Sequence, residues 1–382
     1  MNEHRTLGGK IITRPFIIMA FLAGIAVFLL IKRFIFGLES VTNLSDGYPW
    51  GIWIVYDVVV GTAIGCGGYV MAILVYIFNR GKYHPLVRSA LLSSVFGYTT
   101  AGFSIFIDVG RYWQIYNIFL PSHVNLNSIM FEVAFCVAAY ILVLWIEFFP
   151  AFLEKFNKTK ALLILNKTLF IFIAIGILLP TMHQSTLGSL MIIAGNKLSP
   201  LWQTGWLPVL FLISAILMGY AMVIFESLYS SAVLKIPYEM PALSKIGKLV
   251  AWVAVVYIIL RFSEIILNGK LVLLFTDSWL NRIMFVIENL LFIVPTILLF
   301  SKKHRRSTKS LFFIAILLVF AGAIYRFNAY LVGFNPGIGW HYWPSASEIL
   351  ITIGIIAMEI IAYLVFIKRL SVLPNIKHST TF

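Results

Sequence analysis

Ten apolar runs divide this chain, each close to the length that crosses a bilayer, and the segments between them are alternately rich and poor in lysine and arginine. A spanning helix needs about 20 mostly apolar residues. The runs cover residues 15–36, 52–78, 89–110, 128–149, 167–183, 206–229, 248–267, 280–300, 310–333 and 346–368. They are continuous, not ten-residue stretches of alternating polarity, which excludes a membrane β-barrel. Hydrophobic residues make up 60% of the 382 and charged ones 12%, against roughly 25% charged in soluble domains. The expected fold is an all-α polytopic membrane protein forming a single integral membrane domain. The fifth run is the shortest, and Pro180 is expected to end it at His183.

Loop charges orient the chain. Arg5, Lys10 and Arg14 precede the first run, and Arg80, Lys82 and Arg88 follow the second. Lys155, Lys158, Lys160 and Lys167 follow the fourth, Lys235, Lys245 and Lys248 the sixth, Lys302 to Lys309 the eighth, and Lys368, Arg369 and Lys377 the tenth. The alternate loops are nearly bare of cations, so the positive-inside rule places both termini in the cytoplasm. The net charge of +14 therefore belongs to membrane topology, and nucleic acid is not an expected partner. The run from Pro15 to Ile31 lacks a small-residue cleavage site and is expected to be kept as a span. The two cysteines, Cys66 and Cys136, lie inside apolar runs. They exclude a Cys-ligated iron–sulfur cluster, and a disulfide is not expected.

Most acidic residues sit inside the runs or at their ends, where an ionisable group costs at least about 2.5–3.5 kcal/mol at mid-bilayer and signals function by default. With odd runs pointing outward, Asp57, Asp108, Glu132, Arg261, Glu264, Glu288, Arg326 and Glu348 fall in the outer half, with Arg111 and His183 at the outer boundary. Glu147 and Glu226 lie near the cytoplasm and Glu359 near the middle. This layout predicts a pocket open to the outer side with a thin polar trail inward. Structural ion pairs are the competing explanation: Arg261 and Glu264, three apart, share a helix face and can neutralise each other. Gly61, Gly65 and Gly68 recur at helical spacing and point to close helix packing. Outer-loop aromatics, among them Trp50, Trp113, Trp206, Trp279 and Trp343, read mainly as an interfacial belt. Segments 184–205 and 334–345 are long enough to form ordered caps and a docking surface. Of seven histidines only His183 belongs to a run, so no pair at matched depth is available for a bis-histidine haem.

Two strings carry a resemblance. Pro49-Trp50-Gly51-Ile52-Trp53 leading to Asp57 and the glycines, and Ile107-Asp108-Val109-Gly110-Arg111, resemble the NrfD or polysulfide-reductase membrane-subunit family. Within that family, Asn79 to Arg88, Asp108 to Trp113 and Leu179 to Ser185 resemble the membrane subunits of uptake [NiFe] hydrogenases. The resemblance implies two four-helix bundles, spans two to five and six to nine, with the first and tenth flanking. It implies a quinone-reactive anchor in a bacterial inner membrane, with menaquinone as substrate and no haem or iron–sulfur cluster of its own. The implied partners are a periplasmic ferredoxin-like iron–sulfur subunit and, through it, the hydrogenase small and large subunits. On this reading Asp108, His183, Gln184 and Arg111 meet the quinone head group, with His183 and Asp108 at similar depth. Glu132 and Tyr98 form a proton relay. Asp57, Glu147, Glu226, Arg261, Glu264, Glu288 and Glu359 are candidates for a proton path. No metal site is expected. The rival readings are a di-haem b-type cytochrome and an ion-coupled secondary transporter.

Overall fold

A computed structural model describes residues 4–235 and 237–374; Lys377 and His378 lie outside them. Among the described residues ten helices are long and apolar enough to cross a membrane: α1 Arg14–Phe36, α2 Trp53–Ile77, α3 Gly81–Asp108, α4 Ile129–Lys155, α5 Thr159–Ile193, α6 Leu207–Leu234, α7 Met240–Leu267, α8 Trp279–Phe300, α9 Thr308–Val332 and α10 Ala346–Arg369. The strand content of the described residues is one two-residue pair, β1 His4–Arg5 with β2 Leu373–Pro374. That pair holds the two ends of the described chain together on one face, as an even number of crossings requires. This face carries the lysine- and arginine-rich loops and is called the basic end; the opposite face, with the tryptophan- and tyrosine-rich loops, is the aromatic end.

The expected two bundles are present. Helices α2 to α5 close one and α6 to α9 the other, with α2, α5, α6 and α9 forming the seam between them. Helices α1 and α10 pair outside and lean on α3. Glycine sets the closest approaches: a Cβ at Gly219 of α6 would stand 2.8 Å from the Cys66 carbonyl oxygen of α2, and one at Gly68 would stand 2.8 Å from Ser94 Oγ of α3. The predicted packing role of the α2 glycines is therefore met.

Helix α5 departs from expectation. It spans 35 residues and runs straight through Pro180. Proline removes one N–H from the ladder, and in a packed membrane helix neighbouring groups absorb that loss. The carbonyl it frees is that of Gly176; beside it Thr181 Oγ1 bonds the Ile177 carbonyl at 2.8 Å and His183 Nδ1 the Leu179 carbonyl at 2.9 Å, bracing the turns around the proline. His183 thus lies well inside the helix, ten residues before its end, and not at a span boundary.

Three segments wind more widely than an α-helix: Trp53–Val60 and Ile73–Ile77 in α2, and Asn328–Val332 in α9. Five-residue bonds close the last two, Phe78 N to the Ile73 carbonyl at 3.0 Å and Gly333 N to the Asn328 carbonyl at 2.7 Å. Such wide turns favour functional regions.

At the aromatic end the loops lock together. Ser199 N bonds the Gly333 carbonyl at 2.7 Å and Asn335 N the Lys197 carbonyl at 2.6 Å. Trp50 donates to the Tyr330 carbonyl and packs on Phe334, and Tyr48 packs on Phe334 and Tyr342. These rings are joints of an ordered cap as well as a belt. Arg33 pins α1 to the end of α3 through the Ile107 and Val109 carbonyls, at 2.7 and 2.6 Å, which supplies donors to last-turn groups the helix itself leaves unpaired.

Candidate functional site

The centre of the first bundle holds a fully buried polar cluster. His183 of α5 takes the hydroxyl of Tyr98 of α3 at 3.0 Å on Nε2. A carbonyl can only accept, so the bond to Leu179 makes Nδ1 the protonated nitrogen and Nε2 the acceptor. Gln184 donates from Nε2 to Thr62 Oγ1 at 2.9 Å and lies 3.0 Å from His183 Nε2. Cys66 Sγ stands 3.5 Å from the Tyr98 hydroxyl, and Tyr140 closes the cluster edge-on to Tyr98, with ring centroids 4.5 Å apart. Gln184 Oε1 is buried without a partner. The amide is held in this orientation by two acceptors, His183 Nε2 and Thr62 Oγ1, whose own hydrogen goes to the Val58 carbonyl, so the side chain offers one unused acceptor to a ligand.

The expected site divides in two. Asp108 is ten residues from Tyr98 along α3, about 15 Å at helical rise, so it does not share the depth of His183. It belongs to the aromatic end, near Arg33 and Glu348. Arg111 is exposed in the loop beyond. Glu132 does not bond Tyr98; it accepts from Thr186 Oγ1 at 2.7 Å. Thr186 is one turn beyond His183 on α5, so Glu132 reaches the cluster through that helix. The difference traces to Pro180, which reads as a stop and so moves His183 to the membrane surface.

The other acidic residues fall into three groups. In the second bundle Arg261 faces Glu288 at 3.4 Å, both fully buried, and Glu264 pairs with Lys270 at 2.5 Å. The competing Arg261–Glu264 pairing is not formed; each residue takes a separate partner. Glu288 also accepts from Trp202 Nε1 and Asn328 Nδ2, each at 2.7 Å. At the basic end Glu147 sits against Gly176 and lines a cavity of about 290 Å³ with His84, Arg88 and Glu154. Asp57 and Glu226 lie along the opposite side of α3, on Ser104 and Ser93, with Glu359 against Gly97 between them.

Arg326 sits at the seam. It is fully buried and has no carboxylate partner among the described residues; it donates to the Val59 carbonyl at 2.7 Å, the Phe211 carbonyl at 2.8 Å and Ser214 Oγ at 3.2 Å. Sequence reading placed Arg326 in the outer half without a role, and missed Thr62, Cys66, Tyr140 and Thr186 altogether. Their only signal is polar or aromatic character at helical spacing, which neutral side chains share with ordinary packing.

Two bundles of membrane helices, the first with a buried histidine–tyrosine–glutamine cluster, define a polytopic helical membrane protein. Among the described residues no three His, Cys, Asp or Glu side chains gather as a metal site. Residues 40–334 match the family described as polysulphide reductase, NrfD, and the chain belongs to that family. It is 45% identical to the probable Ni/Fe-hydrogenase 2 b-type cytochrome subunit of Escherichia coli strain K12, over 99% of this chain and 97% of the relative. It is 25% identical to the menaquinone reductase integral membrane subunit of Nitratidesulfovibrio vulgaris, over 88% and 86%. It is 26% identical to a selenate reductase subunit of Mesobacillus selenatarsenatis, over 56% and 55%.

The first of these names corrects one expectation. A b-type cytochrome description points to haem, against the reading that this chain carries none. The His183 cluster itself does not fit an axial ligand: Nδ1 is held by the Leu179 carbonyl and Nε2 by Tyr98 and Gln184, which leaves no lone pair for iron.

Proposed function

We propose that this chain is the quinone-reactive membrane subunit of a [NiFe] hydrogenase, passing electrons from a ferredoxin-like iron–sulfur subunit to menaquinone. The carrying observation is the unpartnered amide atom of Gln184, buried beside His183 and Tyr98. A hydroquinone hydroxyl needs an acceptor, and this amide oxygen supplies one. The names of the Escherichia coli and Nitratidesulfovibrio vulgaris relatives support the hydrogenase and menaquinone parts. The alternating basic loops support an inner-membrane orientation with the basic end in the cytoplasm and the aromatic cap toward the periplasm, where the iron–sulfur subunit docks.

Reduction takes two electrons and two protons per menaquinone. His183 holds Nδ1–H and keeps on Nε2 the lone pair that the Tyr98 hydroxyl meets, so the imidazole can take a proton on Nε2 and hand it to the reduced head group, with Tyr98 orienting the ring. Glu132 is the partly exposed carboxyl that Thr186 links to this helix, and it supplies protons from the aromatic side. His183→Ala should lower hydrogen-linked quinone reduction by about a hundredfold, the usual scale of a lost acid–base group; Gln184→Leu, which removes only a hydrogen-bonding amide, should lower it less, and both should weaken inhibition by quinone analogues. Dye reduction by the soluble subunits should persist. If both variants assemble and reduce quinone at the parental rate, the head group binds elsewhere, and the Arg261–Glu288 cluster is the next place to look.

A second reading, a haem-bearing electron carrier, is favoured by the Escherichia coli relative's description. A visible spectrum of the purified complex decides it: a reduced α-band that scales with this subunit assigns haem to it.

A further inference from the structure

At the basic end the connection between α8 and α9 turns through a short helix, Lys302–Arg306. Two of its basic residues hold the turn in place. Arg305 donates to the Leu299 and Phe300 carbonyls, last-turn groups that α8 leaves unpaired. His304 Nδ1 meets Ser310 Oγ at 2.9 Å. The turn also packs on α7, where a Cβ at Gly247 would stand 3.3 Å from Leu299 Cδ2 and 3.6 Å from Arg305 Cδ. So fixed, it leaves Lys302, Lys303, Arg306 and Lys309 exposed, beside the exposed Lys248 that follows Gly247. Among the described residues none of these five cations has a hydrogen bond or an ion-pair partner. The nearest carboxyl along α7 is Glu239, about 14 Å from Lys248 at helical rise.

Just inside the cations lies an apolar platform. Trp252 is one turn from Lys248 on the same face of α7, and Phe300 is the last residue of α8. The two rings pack edge to face with centroids 5.2 Å apart. Trp252 is 56% exposed and Phe300 41%. Exposed apolar side chains continue inward from each, Val256 and Ile259 on α7 and Ile297 and Val294 on α8, along the groove where the two helices meet. The other tryptophans gather at the aromatic end, apart from Trp145, which is half-buried and donates to Thr99 Oγ1 at 3.1 Å. Among the described residues the Trp252 indole N–H has no acceptor.

Topology accounts for the sign of this loop, and the interfacial preference of tryptophan for the depth of the ring. Neither accounts for their convergence. Cations from two separate elements, an indole donor without an acceptor and an apolar groove meet at one corner, with no carboxyl among them. Cations clustered just outside a membrane helix attract anionic headgroups. Lysine offers three rotatable donors to a phosphate, and an indole offers one more.

We propose that this corner of α7 and the α8–α9 turn binds an anionic phospholipid of the leaflet at the basic end. The lipid phosphate sits among Lys248, Lys302 and Lys303 and accepts from the Trp252 indole, and its acyl chains lie along the α7–α8 groove. Arg306 and Lys309 widen the positive field around it. A zwitterionic lipid brings an ammonium group that these cations repel, and free phosphate has no use for the groove. The site lies on the outer surface of the second bundle and does not rest on the quinone reading.

The test uses the full chain, purified from membranes in mild detergent and exchanged into defined mixtures of phosphatidylglycerol and phosphatidylcholine. Native mass spectrometry reads the lipid retained. The parent should retain phosphatidylglycerol in preference to phosphatidylcholine. Lys248→Gln, Lys302→Gln and Lys303→Gln together should reduce that preference about a hundredfold, at about fivefold per cation. Trp252→Leu keeps every charge and should weaken retention about fivefold, the scale of one hydrogen bond; it reads the site even if the triple variant fails to insert. A control with Lys158→Gln, Lys160→Gln and Lys167→Gln removes as many cations around the start of α5 and should keep the parental preference. A parent without preference, equal loss in the control, or parental retention in either the triple variant or Trp252→Leu overturns the site.

Discussion

Arg326 offers the sharpest test of how the two bundles are joined. Its guanidinium is fully buried at the seam and donates to the Val59 carbonyl of α2, the Phe211 carbonyl of α6 and Ser214 Oγ. Val59 lies in a wide turn, whose carbonyls are poorly served by the helix itself. Replacing Arg326 by Met deprives the buried Val59 carbonyl of its donor, at about 1–3 kcal/mol, while the Phe211 carbonyl keeps the Ser214 hydroxyl at 2.8 Å. It also relieves the cost of burying a cation without a counter-charge, which returns part of that loss. The net destabilisation is about 1–2 kcal/mol. At roughly 2 °C per kcal/mol for a chain of this size, the unfolding midpoint should fall by about 2–4 °C. Cys66 and Cys136 are both buried, so a thiol-reactive fluorogenic dye in detergent reports loss of the seam directly. Arg326→Gln keeps one amide donor and should fall between Met and the parent. If the Met and Gln variants both melt at the parental temperature, the guanidinium does not hold the bundles together, and the glycine contact of Gly219 with Cys66 must carry the joint.

Two further predictions concern charge placement. Arg261→Met alone should destabilise the second bundle by about 3–5 kcal/mol by stranding Glu288, whereas Arg261→Met combined with Glu288→Leu should recover most of that, measured by the same thiol assay; a double variant no better than the single would mean that Trp202 and Asn328, not the ion pair, set the cost. Reporter fusions after Lys309 and after Arg369 should both report the cytoplasm, and an external signal at either place would invert the assignment of the basic and aromatic ends.

The helices were legible because continuous apolar length is a one-dimensional property, and all ten fall where the runs lie. The two-bundle arrangement came from resemblance, and the structure bears it out. The depth of the site was not legible. Pro180 reads locally as a stop, but Thr181 and His183 bond the carbonyls of the preceding turn and α5 continues to Ile193. That displacement alone separated His183 from Asp108 and joined it to Tyr98 and Gln184. Partner choice was equally hidden. Arg261 and Glu264 do share a helix face, yet Glu288 from α8 and Lys270 from the following loop take them in different directions. The Ser93, Thr100 and Ser104 row is visible in the spacing, but hydroxyls in a membrane helix usually bond their own backbone, as Thr100 does on Phe96 and Gly97; only Glu226 and Asp57, delivered by α6 and α2, set Ser93 and Ser104 apart.

The wide turn at Trp53–Val60 has a consequence for how this chain can change length. A transmembrane helix packed on all sides has no slack: an added or lost residue rotates everything beyond it by about 100°. A wide turn is the exception, since it already stores a surplus residue that ordinary helical pitch would not hold. Losing one residue between Asp57 and Thr62 would let α2 close to regular pitch, with Thr62 and Cys66 still facing Gln184 and Tyr98 and Trp53 still against the Glu348 carbonyl. A single-residue deletion there is absorbed inside the wide turn, and the helix on either side keeps its register.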